Sequence, residues 1–337
     1  MVNLPDHLYE DYNKLKLTSP NSYASSSYAS SSSAPPPLPG LTIVPNPTVQ
    51  MIFQWVYDLH KPNSFESDFA LHNLAYQRNN FDFLPRLLWE SPGTAYIMLQ
   101  KIIEVYRHIV GHISLPFSPN LNPHRVYDVL LLFQSMAYHP DTKGHFLKAK
   151  MPNYFYSLMD IGVTDKPYEH MRLGALGVIA HMIKASEDGA ATRFLMDTSA
   201  VSHCVKPIEF GSTDSKTLAV FILHKIMSTD EGLQYCCVLA DRFFVIDELL
   251  KKLLHHLSYM ARPSPALFRL LVGCYSKLSK KPRVRDGLRR YPPTLLFDRT
   301  FARLIAEDEV TGNYWRQLVE NMENINNEAP KTLLSMK

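Results

Sequence analysis

The feature that most constrains this chain is a spacing. Four apolar, helix-forming segments open at Arg125, Arg172, Lys216 and Leu267, so they begin 47, 44 and 51 residues apart. Each runs fifteen residues to a breaker, reached at Pro140, Glu187, Glu231 and Pro282. Self-similarity at roughly 40–47 residues marks the armadillo/HEAT class, in which no repeat buries its apolar face alone and stacking completes the core. The spacing predicts an all-α fold, a helical-repeat solenoid with one insertion.

Other apolar-periodic runs, TVQMIFQWVYDL and AYIMLQKIIEVYRHIV, precede the array, and none shows the alternation of a strand. HPDTK, SEDG, STDEG and SKKPR separate the helices. After each breaker a second helix is expected, in GHFLKAKMPNYFYSLM, AATRFLMDTSAVSHCVKPI, LQYCCVLADRFFVIDELLKKLLHHL and VRDGLRRYPPTLL. Residues 18–40, TSPNSYASSSYASSSSAPPPLPG, hold too little apolar surface to offset the cost of ordering a chain. Residues 1–46 are therefore predicted to be a disordered tail, 47–323 the repeat domain and 324–337 a flexible C-terminal tail.

The most apolar stretch, YEHMRLGALGVIAHMIK at 168–184, carries Gly174 and Gly177. Each glycine costs a helix interior about 1 kcal/mol relative to alanine. Small residues at i and i+3 let two backbones approach closely, so the pair predicts a tight crossing. Two readings follow: packing inside the array, or a glycine at the surface where a partner helix sits.

The sequence shows no GxSxG, P-loop, GxGxxG, HExxH or EF-hand spacing. No catalytic residue, cofactor or metal is expected. His139, His145, His170, His181, His203 and His224 are scattered without ligand spacing, and His255 and His256 face two directions. Cys204, Cys236, Cys237 and Cys274 form no CxxC pair and read as reduced core thiols of a cytosolic or nuclear protein. No apolar run reaches about 18 residues, and MVNLPDHLYEDYNKLKL lacks a signal-peptide core. A soluble intracellular protein without membrane contact is expected.

The net charge of +3 is too small to define a nucleic-acid protein, so any basic function must be local. The strongest local feature is KKPRVRDGLRR, where Lys280, Lys281, Arg283, Arg285, Arg289 and Arg290 oppose Asp286. It reads either as a solvated helix face or as a patch for RNA phosphates or acidic peptides. Curved helical arrays suit extended or helical peptides, so a binding scaffold is the default expectation.

Several stretches resemble one family in order: FQWVYDL (53–59), LLWESPGTAYIMLQ (87–100), SMAYHPDTKGHFL (135–147), PYEHMRLGALGVI (167–179), DSKTLAVFILHKIM (214–227), EGLQYCC (231–237) and LSKKPRVRDGLR (278–289). They resemble the "required for cell differentiation" family, the armadillo-type CCR-associated factor of the CCR-NOT deadenylase complex, from about Val49 to about Met322. The resemblance implies a non-enzymatic subunit of about six repeats. It also implies docking on the NOT scaffold subunit and capture of short linear peptides from silencing factors and RNA-binding repressors. Groove binding of nucleic acid, a homodimer, and residence in cytoplasm (mRNA-processing bodies included) and nucleus complete what it implies.

Carried over residue by residue, the family's scaffold-binding motif Tyr-Leu-Arg-Leu…Leu-Gly falls on His170, Met171, Arg172, Leu173, Leu176 and Gly177. His170, Leu173, Gly174 and Gly177 are the implied scaffold contacts, with His170 in place of tyrosine. The implied peptide groove comprises Leu218 in place of valine, Ala240 in place of a tyrosine, and Arg242. The turn Lys281, Pro282, Arg283, Val284, Arg285 completes it, and Trp89, Glu90, Ser91, Pro92, Gly93 replaces Trp-His-Ser-Phe-Gly. These departures predict a divergent member with kept core motifs and an altered groove, in which Glu90 repels a phosphate backbone. Direct RNA binding through Lys280–Arg290 and a transcriptional cofactor role are the alternatives.

Overall fold

The computed structural model describes residues 41–62, 64–109, 123–186 and 189–323. The predicted tails at 1–40 and 324–337 lie outside the described residues. Every regular element among the described residues is helical, as the repeat spacing predicts. The chain divides into two compact units, one of Met1–Ala185 with Phe210–Ser212, the other of Ser186–Glu209 with Thr213–Lys337.

The first unit contains α1 (Val49–Asp58), α2 (Phe65–Gln77), α3 (Leu84–Glu90), α4 (Thr94–Ile109), α5 (Pro123–Tyr138), α6 (Pro140–Lys148), α7 (Tyr156–Met159) and α8 (Lys166–Ala185). Here α2, α5 and α8 pack in succession. Between Met171 and Ala180 every residue of α8 is buried, which explains an apolar sequence without a polar face. Arg172 is the exception in chemistry. Its guanidinium donates to the carbonyls of Ile161 and Val163 and pairs with Glu169. Glu169 in turn accepts from the Ser212 backbone N–H at 3.0 Å.

After α9 (Ala190–Asp197) and α10 (Val205–Phe210), the second unit is built on α11 (Thr213–Met227), α12 (Asp230–Val238), α13 (Ala240–Ser258), α14 (Pro265–Leu278), α15 (Pro282–Arg290), α16 (Ala302–Glu307) and α17 (Glu309–Glu323). Here α11, α14 and α17 pack in succession. Side chains just before the helices cap them: Thr229 Oγ1, in the STDEG breaker, accepts from the Gly232 N–H at 3.1 Å and Ser264 Oγ from the Leu267 N–H at 3.3 Å.

Two expectations need correction. The single second helix expected after each breaker is split. GHFLKAKMPNYFYSLM breaks at Lys150, whose φ is 54°, and AATRFLMDTSAVSHCVKPI breaks at Ser199, whose φ is 55°. At Ser199 the Ala200 N–H reaches the Leu195 carbonyl and the Ser199 N–H the Met196 carbonyl, a Schellman closure made without glycine. LQYCCVLADRFFVIDELLKKLLHHL breaks at Leu239, which is extended between α12 and α13. Order also begins before residue 47. Asn73 and Gln77 on α2 bond the backbone of Thr42, Val44 and Pro45, supplying partners that an irregular segment lacks on its own.

Candidate functional site

Helix α8 carries the four residues assigned to scaffold contact. The structure keeps them on one helix but exposes them unequally: Leu173, Gly174 and Gly177 are buried and His170 is half-buried against Tyr127, with ring centroids 5.8 Å apart. A Cβ on Gly174 would lie 2.8 Å from Leu130 Cδ1 and 3.1 Å from Leu130 Cβ. The Gly174 carbonyl accepts from Gln134 Nε2 at 3.0 Å. Gly174 therefore serves the close crossing of α5 and α8, and His170 is the member with an accessible edge.

The peptide-groove residues fall in the second unit. Tyr235 at the end of α12 lies under Arg242 of α13, whose guanidinium carbon stands 3.7 Å from the ring centroid and whose Nη1 donates to the Tyr235 carbonyl. Sequence reasoning assigned the tyrosine partner of Arg242 to the position now held by Ala240; the structure supplies Tyr235, seven residues away, instead. Ala240 is exposed beside Val238, Leu239 and Phe244, which are also exposed. Leu218 is half-buried on α11, against which α12 packs.

Helix α15 begins next to this cluster. Arg242 and Lys281 each act on a neighbouring thiol of α12, Arg242 on Cys236 and Lys281 on Cys237, in the sense that favours thiolate. Burial outweighs both, pushing Cys236 up to about 12 and Cys237 to about 11. These thiols are inert at neutral pH. Val284 and Leu288 seat α15, leaving Lys280, Arg283 and Arg290 exposed and Lys281 and Arg285 half-exposed. Arg289 departs from the expected patch: its Nε donates to the Met322 carbonyl at 2.9 Å, and its Nη1 meets Asp286. It ties α15 to α17 instead of joining the outward basic face.

Glu90, expected to repel phosphate, pairs with Arg86 Nε at 2.8 Å in an exposed i,i+4 bridge. Its charge is locally matched. Among the described residues no group of three His, Cys, Asp or Glu could hold a metal ion, and no helix is long and apolar enough to cross a membrane. His224 is buried, and its Nε2 has no hydrogen-bond partner among the described residues. Burial, with Lys277 and Lys225 adding, pushes it down to about 3.

Similar proteins fit this picture. A family model described as "Cell differentiation family, Rcd1-like" matches residues 55–322. The cell differentiation protein rcd1 of Schizosaccharomyces pombe is 33% identical over 291 residues, covering 83% of this chain and 96% of that protein. Protein CAF40 of Saccharomyces cerevisiae is 34% identical over 257 residues, covering 76% of this chain and 67% of that protein. Among solved structures, a designed armadillo repeat protein in complex with a (KR)4 peptide superposes with a TM-score of 0.55 at 16% identity, covering 80% of this chain and 98% of that one. A computationally designed armadillo repeat protein for modular peptide recognition gives 0.57 at 15% identity, with the same coverage. At such identity these likenesses speak for the fold alone, which is of the armadillo type.

Proposed function

From the chain's membership of the Rcd1-like cell differentiation family, we propose that it works as a non-enzymatic adaptor subunit of a CCR-NOT deadenylase complex. The adaptor docks on the NOT scaffold subunit and brings peptide motifs of mRNA-silencing factors to the deadenylase, in mRNA decay and translational repression. The observation that carries this reading is the family match across 55–322, taken with the separate similarity to a protein named CAF40. Docking uses the accessible His170 edge of α8, with the close α5–α8 crossing at Gly174 holding that edge in place. Peptides meet the second unit where Arg242 lies on Tyr235 beside exposed Val238, Leu239 and Phe244. Such a surface offers an apolar contact with a fixed cation at its edge, the combination that anchors short peptides. The protein acts in the cytoplasm, including mRNA-processing bodies, and in the nucleus.

Tethering the chain to a reporter transcript tests the proposal. Shortening of the poly(A) tail in cells, together with no tail shortening by the purified chain alone, is the expected result. A tethered chain without effect on the tail overturns it.

The outward cations of α15 favour a second reading, direct RNA binding. Lys280, Arg283 and Arg290 are exposed on one short helix and its lead-in. Purified chain binding single-stranded RNA while failing to associate with the NOT scaffold would make this the leading function.

A further inference from the structure

A cavity of about 650 Å³ lies within the first unit, away from Arg242 and α15 in the chain. Arg78, Phe81 and Asp82, between α2 and α3, form one part of its wall, and Tyr138, His139, His181 and Lys184 another. Tyr138 is 48% exposed at the end of α5. Its ring is held from two sides: His181 meets it edge-on at 6.0 Å and Lys184 Nζ stands 5.6 Å from its centroid. His181 is itself fixed, since Nδ1 donates to the Gly177 carbonyl at 2.7 Å. His139 Nδ1 accepts from the Asp141 backbone N–H at 3.2 Å, which places the proton of the neutral ring on Nε2. Among the described residues, the cavity lining thus combines two aromatic walls, the basic side chains of Arg78 and Lys184 and a histidine N–H donor with the carboxylate of Asp82.

We infer that this cavity binds an aromatic side chain flanked by carboxylates, presented by a short acidic peptide. The ring enters between Phe81 and Tyr138, and the carboxylates meet Lys184 and His139 Nε2–H, while buried Arg78, whose Nη1 donates to the Ala75 carbonyl at 2.5 Å, adds positive charge behind the wall. This volume suits one or two side chains. Asp82 at the rim opposes any polyanion, so the favoured ligand carries its acids only beside the ring, as a short peptide does and a continuous phosphate backbone does not. The inference deepens the adaptor reading by giving a second peptide site its ligand chemistry.

The test is fluorescence anisotropy with the full chain and a labelled Asp-Glu-Phe-Glu-Asp peptide. Saturable binding is expected, weakened at least about tenfold by Lys184→Glu and by Tyr138→Ala. Tyr138→Phe, which keeps the ring, retains it, and so does Arg283→Glu in the second unit. An alanine replacement of the peptide's phenylalanine abolishes binding, and so does replacing its acids by lysine. Equal melting temperatures show that the variants fold. No binding, binding indifferent to Tyr138 and Lys184, or a uridine oligonucleotide displacing the peptide from this site each overturns the inference. Association with the NOT scaffold, measured on the same variants, reports separately on the adaptor reading and is expected to persist.

Discussion

Gly174 faces Leu130 so closely that a methyl group at its Cα would stand 2.8 Å from Leu130 Cδ1 and 3.1 Å from Leu130 Cβ. The distal methyl can rotate away, but the Cβ is fixed to the α5 backbone. Gly174→Ala gains about 1 kcal/mol of helix propensity and meets an overpacking cost of about 1–3 kcal/mol. Net destabilisation of about 1 kcal/mol is expected in urea unfolding. Adding Leu130→Gly should make the Gly174→Ala step favourable, because both the Cδ1 and the Cβ that obstruct it are then gone.

The helix network around Arg172 gives a larger effect. Its side chain is fully buried, and its charge is held by Glu169 and by the carbonyls of Ile161 and Val163. Arg172→Ala leaves those acceptors unmatched and should cost about 3–5 kcal/mol. A melting temperature unchanged in scanning calorimetry would contradict this role.

Two histidines give stability opposite dependences on pH. His224 is held neutral by burial, so below about 6.5 the unfolded chain binds a proton that the folded chain refuses. Its contribution therefore falls as pH drops from about 6.5 towards about 3, by at most about 1.4 kcal/mol per unit. His224→Leu should flatten that acid limb. His72 is raised, first by its hydrogen bond to Asp128 Oδ2 at 3.0 Å. Its stabilisation is complete below about 6.5 and is lost as pH rises through the folded value. His72→Asn should thus destabilise more at pH 6 than at pH 8.5, as urea midpoints at the two pH values will reveal.

The basic run separates into two roles. Arg283→Glu combined with Arg290→Glu should weaken polyanion binding and reduce its salt slope by about one per lost phosphate contact, leaving the melting temperature unchanged. Arg289→Ala should do the reverse, because Arg289 holds the Met322 carbonyl. Filter binding across a salt series, beside thermal melts, distinguishes them.

The sequence carried the helices well and their ends poorly. Apolar runs such as KTLAVFILHKIM are long enough, and buried widely enough, to read directly, while the caps at Thr229 and Ser264 emerged only from the structure. The splits at Ser199 and Leu239 were not legible. There tertiary packing imposes left-handed or extended backbone on residues that carry no breaker signal, whereas at Lys150 the signal, Pro152 two residues on, was present and passed over. The charge of KKPRVRDGLRR was visible, but its division was not, since the carbonyl that takes Arg289 lies 33 residues away. The Tyr235–Arg242 contact and the cavity at Arg78, Tyr138 and Lys184 were missed for the same reason. They join residues on separate elements whose spacing has no local period.

The most direct test of the adaptor account is calorimetric titration of the full chain with the helical segment of the NOT scaffold subunit. The account predicts saturable one-to-one binding, weakened at least about tenfold by His170→Glu with the melting temperature preserved. Absence of heat and of complex with the unaltered chain would contradict it.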